Sequence, residues 1–242
     1  YKRASKDDNK YIREHLAKLP QEKKVAHCAD MICAHINKNN RYATIEINDY
    51  VRRIISVMQD DDLSAMETAI HIYAKKIQQK IEILENVYRE QQFYKWLDSG
   101  KIVCRDSYKL PLVITPAYSI DSIPSSLYEA EKDDLNNFER MVIDIIVSHD
   151  NIKWWHRIIE RKGMRINGFI NHYPDFMVMT TSGRIILIEA KGDYLDGDDS
   201  KTKLKLGRHW QAQAGIKYRY FMVFQDKELG LDGAYTLDKF TE

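Results

Sequence analysis

The stretch Pro174-Asp175-Phe176-Met177-Val178-Met179-Thr180-Thr181-Ser182-Gly183-Arg184-Ile185-Ile186-Leu187-Ile188-Glu189-Ala190-Lys191 decides the fold. Two apolar runs flank Thr181-Ser182-Gly183, which predicts a hairpin of Phe176 to Thr180 against Arg184 to Ile188. Phe176-Met177-Val178-Met179 and Ile185-Ile186-Leu187-Ile188 are apolar at every position. A strand with one wet face alternates, whereas a strand apolar throughout is covered on both faces. The hairpin is therefore expected at the centre of a layered α/β structure.

Working outward, Leu135, Phe138, Val142, Ile145 and Ile146 mark a helix from about Ala130 to Ser148. Trp154 to Ile159 and Arg165 to Ile170 read as strands, Lys201 to Ala214 as a helix, and Tyr218 to Phe224 as a last strand. The first hundred residues read as helix. Val25, Cys28, Ala29, Ile32 and Ile36 make one stripe, and Val51, Ile54, Ile55 and Met58 a second, with Asn48 as its expected N-cap. Ser64 and Glu67 read as a capping box opening a long helix. Its apolar face runs from Met66 through Ile81, Leu84 and Tyr88 to about Trp96, and Gly100 is its stop. Ile102, Val103 and Leu112 to Ile114 look β-prone, and Pro116 to Ser126 is rich in turn residues. The expected division is a helical spacer or docking domain over 1–115, a linker over 116–128, and an α/β domain over 129–242.

Composition narrows the function. Lys+Arg is 37 against Asp+Glu 36, so a DNA contact must come from local patches rather than from overall charge. A mean hydropathy of −0.52 and short apolar runs predict no membrane span. Cys28, Cys33 and Cys104 make no disulfide framework in a chain of 242 residues, so reduced thiols in a cytoplasmic protein are expected. The chain opens at Tyr1 without a charged-then-apolar leader, which predicts no signal peptide and a natural protein extending upstream.

The hairpin carries its charges at the open end. Asp175 and Glu189 each lie seven residues from Ser182, so a turn centred there sets them opposite one another. Directly paired positions have Cβ atoms roughly 4.5–5.5 Å apart. Lys191 is two residues past Glu189 and leaves the same face of its strand. Two carboxylates so close repel, and a divalent cation with oxygen ligands relieves the repulsion better than one ammonium. Mg²⁺ takes hard oxygens at roughly 2.0–2.1 Å and keeps several waters. It can lower the pKa of a water and neutralise charge on a phosphodiester, while Lys191 orients that water or stabilises the phosphate. The residue types thus point to phosphodiester hydrolysis.

Pro174-Asp175, thirteen intervening residues, then Glu189-Ala190-Lys191 resembles the PD-(D/E)XK motif of the restriction-endonuclease-like nucleases, and the element order resembles their αβββαβ core. Asn151 to Arg157, Gly168 to Phe176 and Ile186 to Asp193 are similar to the C-terminal nuclease domain of the restriction (Res) subunit of type III restriction-modification enzymes. The resemblance covers about residues 125 to 242. It implies a central mixed sheet flanked by helices, and Mg²⁺-dependent cleavage of double-stranded DNA by Asp175, Glu189 and Lys191. It also implies Glu139 of the first helix as a fourth member, with Asp175, Glu189 and Glu139 as metal ligands. Its implied partners are a modification methyltransferase subunit and an upstream helicase-like motor, through which alone ATP would act. No P-loop is found, since Ile102 follows Gly100-Lys101.

Lys201, Lys203, Lys205 and Arg208 lie just past the motif at a helix start and are expected to meet DNA phosphates. Asp199 or Ser200 is the expected cap of that helix. His27, Cys28, Cys33 and His35 fit no zinc spacing, and Trp154, Trp155, His156 and Trp210 are expected in the core. His172 is expected to be a structural hydrogen-bonder. Two alternatives stay open: a standalone repair or phage nuclease, and a catalytically silent nuclease fold kept for docking.

Overall fold

The computed structural model describes residues 18–105, 107–114, 123–131, 134–192, 197–227 and 229–241. The chain divides into two compact units, Tyr1–Gln91 and Gln92–Glu242. Most of the turn-rich stretch at 116–128 lies outside the described residues.

The described elements of the first unit are helical. They are α1 (Gln21–Ile36), α2 (Thr44–Ile55), α3 (Asp60–Met66), a 3₁₀ turn (Glu67–Ala69) and most of α4 (Ile70–Asp98). Cys28, Ile32, Val51, Ile55, Leu63 and Met66 are fully buried at their centre. Lys24 is also buried, with Nζ 2.5 Å from Asp60 Oδ2. Two caps differ from expectation. Thr44 opens α2, which leaves Asn48 inside the helix and donating to Asp30 at 2.7 Å. Asp60 opens α3, so the Ser64 hydroxyl is already within a helix and donates back to the Asp60 carbonyl. Three successive aspartates in the first turn of α3 favour that earlier start. The α4 residues in the first unit's core end at Ile81; Leu84 and Tyr88 are exposed, and Tyr94 and Leu97 are buried again further along the helix.

Gly100 does end α4. At φ +70° it lets Lys101 N–H reach Trp96 O at 2.9 Å while its own N–H reaches Leu97 O at 3.1 Å. This is the two-bond stop that favours glycine. Residues 102–103 and 112–114 form no strand, and Val103, Leu112 and Val113 are exposed.

The second unit is α/β. Its elements are α5 (Asn137–Val147), β1 (Ile152–Arg157), β2 (Ile166–Asn167), β3 (Asn171–His172), β4 (Phe176–Thr180), β5 (Ile185–Lys191), α6 (Asp198–Ala214), β6 (Tyr218–Phe224), β7 (Ala234–Thr236) and α7 (Leu237–Thr241). A mixed five-stranded sheet runs β1-β4-β5-β6-β7, and β2 and β3 form a separate two-stranded ribbon. Of the strand expected over Arg165 to Ile170 only Ile166–Asn167 forms, as β2; Gly168 to Ile170 is the tight turn to β3, and the ribbon stands outside the main sheet. The β1-β4-β5 pairings are antiparallel and the β5-β6-β7 pairings parallel. Helix α5 starts later than expected because Asn136 and Glu139 form a reciprocal capping box at its N-terminus.

Both faces of the hairpin are covered. Phe176, Val178 and Ile188 pack with α5 and Trp155 on one side. Met177 and Leu187 pack with Leu204, Leu206 and Tyr220 on the other. Helix α6 lies close on β6 because Gly207 has no side chain: a Cβ built there would overlap the ring of Tyr220. Tyr220 is fully buried and its amide N–H donates to Gln211 Oε1, so it has little room to yield. Gly207→Ala is expected to cost about 1–3 kcal/mol in urea unfolding. An unchanged midpoint would contradict that close approach.

Among the described residues, no helix is long and apolar enough to cross a membrane.

Candidate functional site

The site grows from the hairpin register. Gly183 takes φ +81° at the turn, and its N–H donates to Thr180 O. From there the ladder runs Met179↔Ile185 to Phe176↔Ile188, so Asp175 and Glu189 are the next positions outward. Glu189 and Lys191 share the face of Leu187, the face covered by α6. The Asp175 carboxylate turns onto β5, where Oδ2 accepts from Ala190 N–H at 2.8 Å.

Glu189 is 4% exposed. Its Oε1 is 2.6 Å from Lys191 Nζ, while its buried Oε2 has no hydrogen-bond partner among the described residues. Burial, and then the nearby Asp175 charge, push the Glu189 carboxyl up to about 7, against the opposing pull of Lys191. Burial also works against the Lys191 charge, but the Glu189 carboxylate outweighs it and holds the ammonium above its usual range. His172, in β3, lies 3.9 Å from Glu189 Oε2. Burial, then Lys203 and Lys191, hold that imidazole down to about 3, so the ring is neutral and makes no ion pair there. Its Nε2 shares a hydrogen bond of 2.8 Å with the Tyr220 hydroxyl, in the structural role expected of it.

The raised Glu189 has a consequence for stability. A carboxyl with an unfolded value of about 4.3 contributes stability that is complete below that pH. This contribution is lost as pH rises through the folded value of about 7. In chelator, Glu189→Gln is expected to match wild type in urea near about pH 4 and to exceed it near about pH 8. Equal midpoints at the higher pH would show that Glu189 is not strained by its burial.

On its other side Asp175 meets an arginine. Arg157 ends β1 and pairs in register with Phe176. Its Nη1 donates to Asp175 Oδ1 at 2.7 Å and to the Asp175 carbonyl at 3.1 Å. The same guanidinium reaches Asp134 Oδ1 at 3.3 Å and Glu139 Oε2 at 3.5 Å. Glu139 Oε2 also accepts from the Asn136 N–H at 3.2 Å, closing the capping box. Burial, then Asp175, raise the Glu139 carboxyl, opposed by Arg157. Glu139 and Asp175 are therefore brought together, but around a guanidinium.

A cavity of about 460 Å³ opens beside these groups, lined by Asp175, Arg157, Asp134, His172, Tyr173 and Lys203 among others. The four expected DNA-contact cations go different ways. Lys203 lines the cavity and is 2.8 Å from Asp199, and Lys201 is exposed with Asp198 at 3.8 Å. Lys205 Nζ stands 4.4 Å from the centre of the Tyr94 ring, while Arg208 binds Gln211 and Asp232. Gly197 is the N-cap of α6, so neither Asp199 nor Ser200 caps it. Asp193 and Asp196 lie outside the described residues.

Two buried arrangements escape the sequence reading. One is Arg157 with its three carboxylates. The other is His156, whose Nδ1 is 3.0 Å from Glu131 Oε2, both groups being buried. Each joins segments whose proximity depends on where β1 docks, and no local spacing encodes that.

Among the described residues, no group of three or more His, Cys, Asp or Glu is placed to hold a metal ion. Asp175 and Glu189 offer two hard carboxylates, one with an unsatisfied buried oxygen. That set fits Mg²⁺, which usually takes one or two protein carboxylates and completes its sphere with water and phosphate. Compared with family models, with curated proteins and with solved structures, the chain matches none.

Proposed function

We propose that the second unit is a Mg²⁺-dependent DNA endonuclease domain of the restriction-endonuclease-like type, and that it forms the C-terminal part of a type III restriction subunit. The observation that carries the reading is the Asp175, Glu189 and Lys191 constellation at the open end of a buried hairpin. There Glu189 keeps an orphaned carboxylate oxygen, and Asp175 lines a polar cavity. Further support comes from the order α5, β1, β4, β5, α6, β6, which resembles αβββαβ with the β2-β3 ribbon inserted.

In this reading Asp175 and Glu189 hold the ion. When bound, Mg²⁺ offsets their mutual repulsion and the charge of the scissile phosphate, and makes water more acidic. The Ala190 N–H fixes the orientation of the Asp175 carboxylate. Lys191 Nζ, cationic beside Glu189, donates to a non-bridging phosphate oxygen and stabilises the charge that builds there. Lys203 supplies a second cation on the cavity wall for the DNA backbone. Glu139, tied to its own cap and to Arg157, is assigned a supporting place rather than a ligand position. The chain works with double-stranded DNA, a modification methyltransferase subunit and an ATP-driven motor of the same polypeptide.

The test is cleavage of plasmid DNA by the complete enzyme with Mg²⁺ and ATP, comparing wild type with Asp175→Ala and Lys191→Ala. Variants that cut as well as wild type would remove the assignment. One observation favours a second reading, a nuclease fold kept for docking: Asp175 already has a cation in Arg157. Calorimetric titration of the chain with Mg²⁺ or Mn²⁺ separates the two. Heat that disappears in Asp175→Asn and Glu189→Gln supports the nuclease, and no metal-dependent heat supports docking.

A further inference from the structure

The residue that the proposed chemistry does not use is Arg157, and its surroundings are unusual for an arginine that merely ends a strand. Its side chain is 13% exposed, lies over the Phe176 ring at 5.6 Å, and touches carboxylates from three segments: Asp134, Glu139 and Asp175. Of the three, Asp175 is nearest, at 2.7 Å. Both oxygens of that carboxylate are engaged, Oδ1 by the guanidinium and Oδ2 by Ala190 N–H. Glu189 by contrast keeps an oxygen without a partner. The two acids of the hairpin mouth are thus unequal: one is free to accept, and the other is already neutralised by a permanent cation.

We infer that Arg157 is a built-in competitor for the divalent cation, holding the Asp175 carboxylate so that a metal ion must take it away before the site is complete. The inference rests on the nuclease reading above and concerns the regulation of that same site. The physical reason is direct. A divalent ion sharing Asp175 Oδ1 would stand against a guanidinium at contact distance, and like charges so close in a partly buried site repel strongly. The arginine has somewhere to go, because Glu139 and Asp134 already contact its Nη2 and Nε, and the cavity borders the same side chain. Withdrawal from Asp175 leaves it paired rather than stranded. Arg157 is a positioning residue in this scheme, acting through Asp175.

The experiment is calorimetric titration of the chain with Mg²⁺ and with Mn²⁺, in wild type, Arg157→Gln and Arg157→Lys. Removing the competing charge is expected to tighten binding by about tenfold, within the usual range of coupling between two ligands. Arg157→Lys keeps a cation and is expected to stay within about threefold of wild type. A purely structural arginine predicts the reverse, since losing it would loosen Asp175 and weaken binding. Equal or weaker binding in Arg157→Gln overturns the inference. A second measurement needs no variant: the Nε–Hε resonance of Arg157 in wild type is expected to move during the Mg²⁺ titration with the same midpoint as the heat. A resonance that stays still overturns the inference even if Arg157→Gln fails to fold. Asp175→Asn and Glu189→Gln distinguish the two failures. If they leave the metal heat intact, the site reading itself fails; if they abolish it while Arg157→Gln changes nothing, only the competitor role fails.

Discussion

Asp175→Ala is expected to lower Mg²⁺-dependent plasmid cleavage by about 10²–10³-fold, the order of loss seen when one preorganised electrostatic group is removed from a transition state. The carboxylate sits where β4 begins and is held by the Ala190 N–H of the neighbouring strand, so its loss removes an oxygen whose orientation the backbone has already set. The same substitution takes away the nearest anion to Arg157 and leaves that cation facing the mouth of the site. Both changes oppose binding of a divalent ion. Asp175→Asn separates shape from charge. Its side-chain oxygen still accepts from Ala190 N–H, so the fold is expected to survive while cleavage falls by a similar factor. Lys191→Ala is expected to fall alongside, because no second ammonium contacts Glu189 among the described ion pairs. The readout is the initial rate of supercoil loss on a gel, with thermal melting to confirm folding. Wild-type rates from a folded Asp175→Ala protein would rule out this acid as part of the chemistry.

Trp155→Ala is expected to destabilise the second unit by about 3–5 kcal/mol, the usual cost of emptying a large aromatic site. Trp155 is fully buried and packs edge-on against Phe176, with ring centres 6.1 Å apart. Its indole N–H donates to Pro124 O at 2.9 Å, and its amide N–H to Ser125 O at 2.9 Å. The side chain therefore fixes both the 123–126 segment and the docking of β1 on β4, which in turn sets the position of Arg157 two residues on. Trp155→Phe keeps most of the apolar area and loses the hydrogen bond, so a smaller cost of about 1–2 kcal/mol is expected. Urea midpoints with unchanged slopes measure both. A loss below about 1 kcal/mol for the alanine variant would mean that the site collapses around the cavity, and that β1 is held by something other than this indole.

The hairpin was legible because its determinants are local. Turn residues at 181–183 and two uninterrupted apolar runs set the register, and the register alone puts positions 175 and 189 side by side. The stop at Gly100 was legible for a similar reason, since one residue with positive φ closes the helix. Helix starts fared less well. Asn48 and Ser64 are residue types that cap helices, but each falls inside a helix that begins earlier. At the start of α5 the cap is Asn136 with Glu139, and a glutamate at that place also suits a metal site. One side chain fits both patterns, and sequence offers no means of choosing between them. The basic run 201–208 is one patch along the chain but not in space. On a helix those positions point in several directions, and Tyr94, Gln211 and Asp232 draw two of them away.

What the residues determined unaided is a double-sided hairpin with two acids and a lysine at its mouth, inside an α/β arrangement of helix, strands, helix and strand. Those features follow from period, turn chemistry and alternation, all of which act over a few residues. Only the tertiary structure decided that Arg157 would close on Asp175 from eighteen positions away, that Glu139 would answer the same guanidinium, and that Glu189 would be sealed with one oxygen unsatisfied. Such choices depend on which strand docks beside which and on how deeply each group is desolvated. Both are settled by packing across long loops rather than by neighbours in the chain.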